Sequence, residues 1–334
     1  MKSPSRTIVA SVVLAAIAGT AALGYLYARH TNSADASPLP DLLTQIPAGA
    51  PTLIYVDLAA LRQSGFYQHR PPGSPNVVPD NDYKDFVQAT GFDFEKDLDR
   101  AVIAAWPESV PGEHKKSVAV AEGRFDRQKI REYVQRGGKI EQQEGHDVLL
   151  FQGSKSSEWN SLTFLNDHTV ALVQGPSIAP ALGASLSAAS HDPIRERVTH
   201  IAGADIFLIT RMPSIPDNFG ASVLQSAPVA NLIRSVQWLT LAARPEGDNM
   251  RVSLEGECAT NTNARQLEAA LETLRLFAQA GLGKQRSQAQ TESSRKLWES
   301  LLKTADITQS GERVRILVEL PPDVLNYSSP KKLE

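Results

Sequence analysis

Histidines are the first side chains in this sequence that could bind a metal ion. No two of them are three or four residues apart, which is the spacing that puts two ligands on one face of a helix. The seven are His30, His69, His114, His146, His168, His191 and His200. The spacing therefore predicts histidines of the surface or of turns, although ligands that are distant in sequence could still converge in space.

The densest acidic cluster of the chain contains Asp93, Glu95, Asp97 and Asp99. Alternating carboxylates occur in calcium loops, but the glycine and the distal glutamate of such a loop are missing here. We expect instead a solvated loop that leads into the first turn of a helix. Acidic residues are favourable there because the N-terminal end of a helix carries partial positive charge.

Motifs for phosphate binding and for acyl transfer are matched only in part. Gly281–Lys284 reads Gly-Leu-Gly-Lys without the rest of a phosphate-binding loop, so we interpret it as the end of a helix. Ser293 with Lys296, and likewise Ser300 with Lys303, have the serine–lysine spacing of some acyl-transfer enzymes. The later Lys-Thr-Gly motif is absent, so the sequence does not favour this chemistry.

Cys258 is the single cysteine of the chain, so no intrachain disulfide and no cysteine-rich metal site can form. It could be a nucleophile, but its acidic neighbours Glu255 and Glu257 would raise the pKa of its thiol. We favour a small buried residue of a strand. The sequence therefore predicts no catalytic, cofactor-binding or metal-binding residues and no cofactor.

Length and composition are those of a folded protein with about two domains. The chain has 334 residues, of which 42% are hydrophobic and 21% charged, and a domain usually has roughly 150 residues. The 34 basic and 37 acidic residues give a net charge of −3. Because a broad basic field is absent, we expect no nucleic-acid partner.

The strongest pattern in the chain is a run of 20 residues without a charge, from Ile8 to Tyr27. A helix of that length measures about 30 Å, which is enough to cross the hydrocarbon core of a bilayer. Lys2 and Arg6 precede the run and favour a cytoplasmic N-terminus. We therefore predict a signal anchor at 1–29, embedded in the lipid bilayer through Ile8 to Tyr27, a linker at 30–40 and a periplasmic C-terminal part.

A cleaved signal peptide is the alternative to a retained anchor. Ala16-Ile17-Ala18 has the small-x-small pattern of a cleavage site. Tyr25 and Tyr27 favour the anchor, because tyrosine is enriched at membrane interfaces. Both interpretations place the rest of the chain outside the cytoplasm.

Short apolar runs separated by turn residues predict an α+β fold with mainly antiparallel sheets. Strands are expected at 53–58, 101–106, 117–122, 139–143, 148–152, 162–165, 170–174 and 206–210. Asp126 can cap a helix, and Asn166–His168 should be a turn. A helix over Asn263–Ala280 should place a stripe of four apolar residues against the core. The stripe contains Leu267, Leu271, Leu274 and Ala278.

Four short matches in the same order indicate that the pattern occurs twice. The matching pairs are 48–50 with 202–204, 104–108 with 242–246, Glu122-Gly123 with Glu255-Gly256, and 140–151 with 307–320. We predict an N-terminal transmembrane helix followed by two related halves at 41–190 and 191–325, and a flexible tail at 326–334. The alternative is one undivided α+β domain in which common dipeptides recur.

The two Glu-Gly pairs lead to a specific expectation. Glycine weakens a strand unless the backbone needs a bulge, a bend or a close approach at that point. We expect Gly123 and Gly256 to end equivalent strands of the two halves. Valine at either position should then destabilise the fold by about 1 to 3 kcal/mol.

Five segments between Asp41 and Leu320 carry a family resemblance. They are LLTQIPAGAPTLIYVDLAALR, ATGFDFEKDLDRAVIA, VAVAEGRFDRQKI, WLTLAARPEGD and VSLEGECATNTNARQLEAAL. Together with the N-terminal anchor, they resemble exported, membrane-anchored bacterial proteins described only as domains of unknown function. The resemblance implies architecture and location, and it implies no activity, cofactor or catalytic residue.

Two classes of function fit these observations. An exported domain without a reaction motif favours a membrane-tethered envelope protein that binds a protein or a small ligand and is not an enzyme. The alternative is an envelope hydrolase whose catalytic groups converge only in three dimensions. A cleft in which carboxylate, histidine or serine side chains bond to one another would favour the hydrolase.

Overall fold

The computed structural model describes residues 41–69, 81–106, 116–152, 158–183, 192–201, 203–212, 235–284, 299 and 301–322. The contacts within the chain divide it into two compact units. Among the described residues, those of 41–62 and 81–206 belong to the first unit, and 63–69 and those from Phe207 onward belong to the second. Residues 192–206 thus belong to the first unit, where Asp192 Oδ2 accepts a hydrogen bond of 2.7 Å from the amide of Gly49.

The elements are numbered in chain order within the described residues. The strands are β1 (Thr52–Asp57), β2 (Leu98–Trp106), β3 (Lys116–Gly123), β4 (Lys139–Gln143), β5 (His146–Gln152), β6 (Trp159–Phe164), β7 (Thr169–Gln174), β8 (Ile206–Arg211), β9 (Val236–Glu246), β10 (Asn249–Cys258), β11 (Asp306–Ser310) and β12 (Arg313–Leu320). The helices are α1 (Leu58–Gln63), α2 (Gly65–Gln68), α3 (Asn81–Thr90), α4 (Phe94–Asp97), α5 (Arg127–Gln135), α6 (Ala179–Leu182), α7 (Pro193–His200) and α8 (Asn261–Lys284), and a 3-10 helix covers Asp41–Gln45.

The strands of the first unit lie in the order β1-β2-β3-β7-β6-β5-β4, and each neighbouring pair is antiparallel. The α+β class and the mainly antiparallel pairing predicted from the sequence are confirmed. Strands expected at 139–143 and 170–174 are present as β4 and β7. Short hairpin connections favour this antiparallel arrangement, because a parallel pair would need a long crossover.

An aromatic cluster packs α3 and α5 against one face of this sheet. Phe92 stacks on Phe125 with ring centroids 5.2 Å apart, and Phe86 meets Tyr133 edge-on at 5.3 Å. Helix α5 begins where the sequence predicts, because Asp126 Oδ1 accepts a 3.0 Å hydrogen bond from the amide of Lys129. Aromatic contacts and the cap together fix α5 at the end of β3.

The strands of the second unit lie in the order β8-β9-β10-β12-β11. β10 pairs antiparallel with both β9 and β12, and β11 with β12. One buried cluster joins β9, β10, α8 and β12. Its members are Val236, Cys258, Ala264, Leu267 and Val314.

The apolar stripe predicted for α8 faces the core only in the first half of the helix. Leu267 is buried and Leu271 packs against the cluster, whereas Leu274 is 40% exposed and Phe277 is 71% exposed. The prediction is wrong for the second half because polar side chains there face the protein. Gln279 Nε2, for example, donates a 2.8 Å hydrogen bond to the carbonyl oxygen of Leu302.

The last of the four sequence matches, 140–151 with 307–320, pairs two hairpins that occupy different places in the strand order of their units. β12 lies beside β10, and the strand beside β3 in the first unit is β7. The hairpin that corresponds to β11–β12 in sheet order is therefore β6–β7. The sequence match instead pointed to 140–151, which forms β4–β5 at the far edge of the first unit's sheet.

No helix among the described residues combines the length and the apolar character that a membrane crossing requires. The predicted anchor at Ile8–Tyr27, the linker at 30–40 and the tail at 326–334 lie outside the described residues.

Candidate functional site

A row of polar side chains crosses four neighbouring strands of the first unit. Register pairs Asp57 of β1 with Arg100 of β2, Arg100 with Glu122 of β3, and Glu122 with Thr169 of β7. Residues paired in this way project from the same face of a sheet. The row therefore places the Arg100 guanidinium between two carboxylates, Asp57 on one side and Glu122 on the other. Arg100 bonds Glu122 Oε2 at 2.5 Å.

A β-bulge adds a further carboxylate to this edge of the sheet. Leu98 pairs with Gly123 and Arg100 pairs with Glu122, so Asp99 has no partner on β3. Regular alternation would turn Asp99 and Arg100 to opposite faces, whereas a bulge redirects the strand and its side chains. Both residues line the same cleft.

Two arginines hold the segment that contains the bulge. Arg62 donates to Asp99 Oδ1 at 2.5 Å and to the carbonyl oxygen of Leu98 at 2.6 Å. Arg124 donates to the carbonyl oxygen of Lys96 and approaches Asp99 Oδ1 at 3.5 Å. Guanidinium groups thus satisfy carbonyl oxygens just where α4 gives way to β2, and they fix the position of Asp99.

The turn between β6 and β7 forms one rim of the cleft. Asn166 Oδ1 accepts a 2.8 Å hydrogen bond from the amide of His168, and the carbonyl oxygen of His168 accepts one of 2.9 Å from the amide of Gly123. The turn predicted at Asn166–His168 is confirmed. The hydrogen bond between His168 and Gly123 brings this turn next to Arg124. Both the His168 side chain and the Arg124 side chain are exposed, the latter to 58%.

These residues enclose an open cleft of about 780 Å³. Its floor is formed by the cross-strand row and its rim by more exposed donors. The lining residues are Asp57, Ala59, Asp99, Arg100, Glu122, Gly123, Arg124, Asn166, His168 and Thr169. A site of this size and polarity can bind a small ligand or a short peptide segment through charged groups.

The floor of the cleft has an excess of negative charge. Burial raises the pKa of the Tyr55 phenol above its usual value, and the nearby carboxylate of Asp57 raises it further. Burial acts to lower the pKa of Arg100, but Glu122 and Tyr55 outweigh it and the pKa is raised. The Tyr55 shift is thus due mainly to burial, and the Arg100 shift to the acidic groups around its guanidinium.

Each carboxylate of the cleft already has a hydrogen-bond partner. Asp57 Oδ1 accepts the amide of Ala60, and Glu122 and Asp99 bond to arginines. The described residues contain no group of three His, Cys, Asp or Glu side chains placed to hold a metal ion.

Cys258 lies where the sequence predicts, as a buried residue that ends β10. It is 1% exposed, and burial followed by Glu257 and Glu312 raises the pKa of its thiol. The expected effect of acidic neighbours is thus present, with burial as the larger cause. A thiol in this state is a poor nucleophile.

The acidic cluster at 93–99 is more strongly paired than a solvated loop. Asp93 caps α4 by accepting a 3.0 Å hydrogen bond from the amide of Glu95, as acidic residues of a first turn should. Asp97 and Asp99, however, contact Arg124 at 3.4 and 3.5 Å. The sequence pattern missed these pairs because the arginine follows β3, 25 residues further along the chain.

Of the remaining sequence candidates that the structure describes, only His168 is among the residues that line the cleft. Gly281–Lys284 forms the last four described residues of helix α8 and does not form a phosphate-binding loop. Ser293, Lys296 and Ser300 lie outside the described residues. His69 bonds Asp248 Oδ1 at 3.0 Å in the second unit.

The residues of the cleft were missed because no motif contains them. Asp57 ends β1, Arg100 is near the start of β2 and Glu122 is near the end of β3. In an antiparallel sheet such positions lie side by side. A charged residue at the end of one strand, at the start of the next and at the end of the third is therefore the signal that could have indicated the site.

Comparison with protein-family models gave no match, and comparison with curated proteins gave none either. Among solved structures, crystal form III of TP0453 is similar over 86% of this chain and 96% of that chain, with 11% identity and a TM-score of 0.49. Crystal forms I and IV of TP0453 cover the same share of this chain and 95% and 97% of their own, with 13% and 14% identity and TM-scores of 0.42 and 0.43. Similarity at this level carries no argument about function.

Proposed function

We propose that this chain is a membrane-tethered envelope protein whose first unit binds a polar ligand, either a small molecule or a segment of another envelope protein, without catalysing a reaction. The observation that carries the proposal is the charged cleft, in which carboxylates are bonded to arginines or to a helix amide. Groups held in this way can recognise charges on a ligand. They lack the paired nucleophile and base that hydrolysis needs.

The tether in this proposal is the apolar run Ile8–Tyr27, retained as a signal anchor. Its length and the preceding Lys2 and Arg6 support a single crossing with Asp41 onward in the periplasm. A reporter enzyme that is active only in the cytoplasm should be inactive when fused after Glu334. Activity of that fusion would contradict the topology, and a mature N-terminus at Gly19 would contradict the retained anchor.

We also propose that the two units are related halves of a duplicated pattern. In each unit a strand is followed by an antiparallel hairpin and then by a helix, which is α5 after β3 and α8 after β10. After this helix, a later hairpin supplies a second antiparallel neighbour to the strand that precedes the helix. This neighbour is β7 beside β3 in the first unit and β12 beside β10 in the second, which supports a shared topology.

Binding at the cleft can be tested with a photoreactive side chain at position 59. Ala59 lines the cleft from α1, and its replacement removes none of the charged groups. Illumination of cells that express the variant should yield one discrete adduct, small or macromolecular. The same side chain in place of the half-buried Arg131 on α5, which does not line the cleft, is the control and should yield none.

The hydrolase alternative is tested on the same purified full-length chain. Ester, phosphomonoester and peptide substrates should show no turnover above that of buffer. Turnover that is lost in Glu122→Gln but kept in Arg131→Gln would replace the binding function by an enzymatic one. Equal labelling from positions 59 and 131 would contradict a binding site in the cleft.

A further inference from the structure

The floor and the rim of the cleft present charges of opposite kinds to a ligand. Asp57 and Glu122 share the single guanidinium of Arg100 on the floor, which leaves one carboxylate in excess. On the rim, the Arg124 guanidinium donates to the carbonyl oxygen of Lys96 and lies 3.4 Å from Asp97 and 3.5 Å from Asp99, but its side chain is still 58% exposed. The floor is therefore suited to a cation and the rim to an anion.

The residues that carry these charges are close in sequence and line the same cleft. Glu122 and Arg124 are two residues apart at the end of β3. Two residues of extended chain span about 6.6 Å. The terminal ammonium and carboxylate of a dipeptide are separated by a similar length of backbone.

The rim offers more than one donor to an anion. A guanidinium has five N–H groups, and Arg124 is bonded through only part of this set. The amide group of Asn166 and the imidazole of His168 are exposed on the neighbouring turn. A carboxylate on the rim could therefore be bonded by several groups at once, as is usual for arginine-based recognition.

We propose that the cleft binds a short zwitterionic peptide, with its ammonium group against the Glu122 and Asp57 carboxylates and its terminal carboxylate against Arg124. This inference rests on the proposed binding function and names the class of ligand. It requires both free termini, because each end of the peptide contacts groups of one sign. Neither a simple anion nor a simple cation satisfies both parts of the cleft.

The test is calorimetric titration of the full-length chain in detergent with three matched probes. They are Ala-Ala, its N-acetyl derivative and its C-terminal amide, which differ only in the charge of one end. Ala-Ala should bind to one site, and each blocked form should bind at least tenfold more weakly. Equal binding of all three probes, or no binding of Ala-Ala, would overturn the proposal.

Two variants assign the ends of the peptide to their partners. Glu122→Gln should weaken Ala-Ala and remove its advantage over the N-acetyl form, whereas Arg124→Gln should remove its advantage over the amide. Arg131→Gln, whose partner Asp147 lies away from the cleft lining, should bind Ala-Ala as the parent does. Interchanged or identical effects of the first two variants would contradict the proposed orientation.

The outcome also separates this inference from the proposed function. If position 59 gives a discrete photo-adduct that excess Ala-Ala does not reduce, the ligand class is wrong and the binding function stands. If the adduct is absent and cleft-dependent turnover is found, the binding function itself is wrong. Reduction of the adduct by Ala-Ala but not by its blocked forms would support both.

Discussion

The Glu-Gly pair at the end of β3 and the one near the end of β10 have different partners. Glu122 bonds Arg100 on β2 and lines an open cleft. Glu255 is bonded by Arg315 of β12 through Nε at 3.1 Å and Nη2 at 2.9 Å, and its side chain is only 16% exposed. The two glutamates are almost equally exposed, at 20% for Glu122 and 16% for Glu255, so they differ mainly in how many arginines contact them.

The glycines of the two pairs differ even more. A Cβ atom on Gly123 would overlap the carbonyl oxygen of Asp97 and lie 3.2 Å from the Cα atom of Leu98. A Cβ on Gly256 would meet only side-chain methyl groups, those of Val236 at 3.4 Å and of Leu267 at 3.8 Å, which is close to ordinary contact. The equal roles expected from the sequence are therefore not found. The bulge next to α4 makes the first glycine necessary, and the second position has no such neighbour.

The largest predicted effect is that of Gly123→Ala compared with Gly256→Ala. The first should lower the free energy of unfolding by about 3 kcal/mol, because backbone atoms must move to admit the methyl group. The second should change it by less than about 1 kcal/mol, since the lost flexibility of the unfolded chain offsets a tight contact. Amide hydrogen exchange measures the stability change of the first unit in β3 and that of the second unit in β10. Similar losses in the two variants would contradict the contrast.

Arg62→Met should have the next largest effect, about 2 kcal/mol. The guanidinium satisfies the carbonyl oxygen of Leu98 and the Asp99 carboxylate, which would be left without these bonds. Urea unfolding followed by hydrogen exchange in β2 checks this loss. Arg131→Met is the matched control, and it should lose less than about 1 kcal/mol because its pair with Asp147 is more exposed. Equal losses would show that the junction beside Gly123 does not depend on Arg62.

Glu255→Gln and Glu122→Gln compare the two ion pairs. We expect a loss of about 1 to 2 kcal/mol for Glu255, because two arginines of β12 face it, and about 1 kcal/mol for Glu122, which has one. Denaturant titrations with and without added salt measure both. Because the two pairs are about equally exposed, salt should reduce both losses to a similar extent. A larger loss for Glu122→Gln than for Glu255→Gln would contradict the contrast.

The smallest expected effect concerns the reactivity of Cys258, two residues after Gly256. Its folded pKa is raised, so near neutral pH the thiol stays protonated and should react with iodoacetamide only when the second unit opens. Because the unfolded thiol ionises at lower pH than the folded one, this group's contribution to stability is lost as pH rises above the usual thiol range. Gly256→Ala should leave the alkylation rate at pH 7 unchanged. A clear increase would mean that the glycine is needed after all.

Much of the local structure could be predicted from the sequence because its signals are local. The alternation of apolar residues located β4 and β7, and Asp126 marked the start of α5. The apolar stripe of α8 failed after Leu271, because a helical pattern shows which residues share a face and not how far a partner extends along it. Leu274 and Phe277 are exposed, and whether a partner reaches such positions depends on elements distant in the chain.

The sequence by itself determined the antiparallel α+β class, the caps and turns, and the burial of its single thiol. Each of these depends on residues within a few positions of one another. The cleft was decided only by the tertiary structure, because strand register joins Asp57, Arg100 and Glu122 across three strands. A one-residue bulge then turns Asp99 toward them and fixes Gly123 against the backbone. Register and bulges arise from the packing of the whole sheet, and a short motif does not encode them.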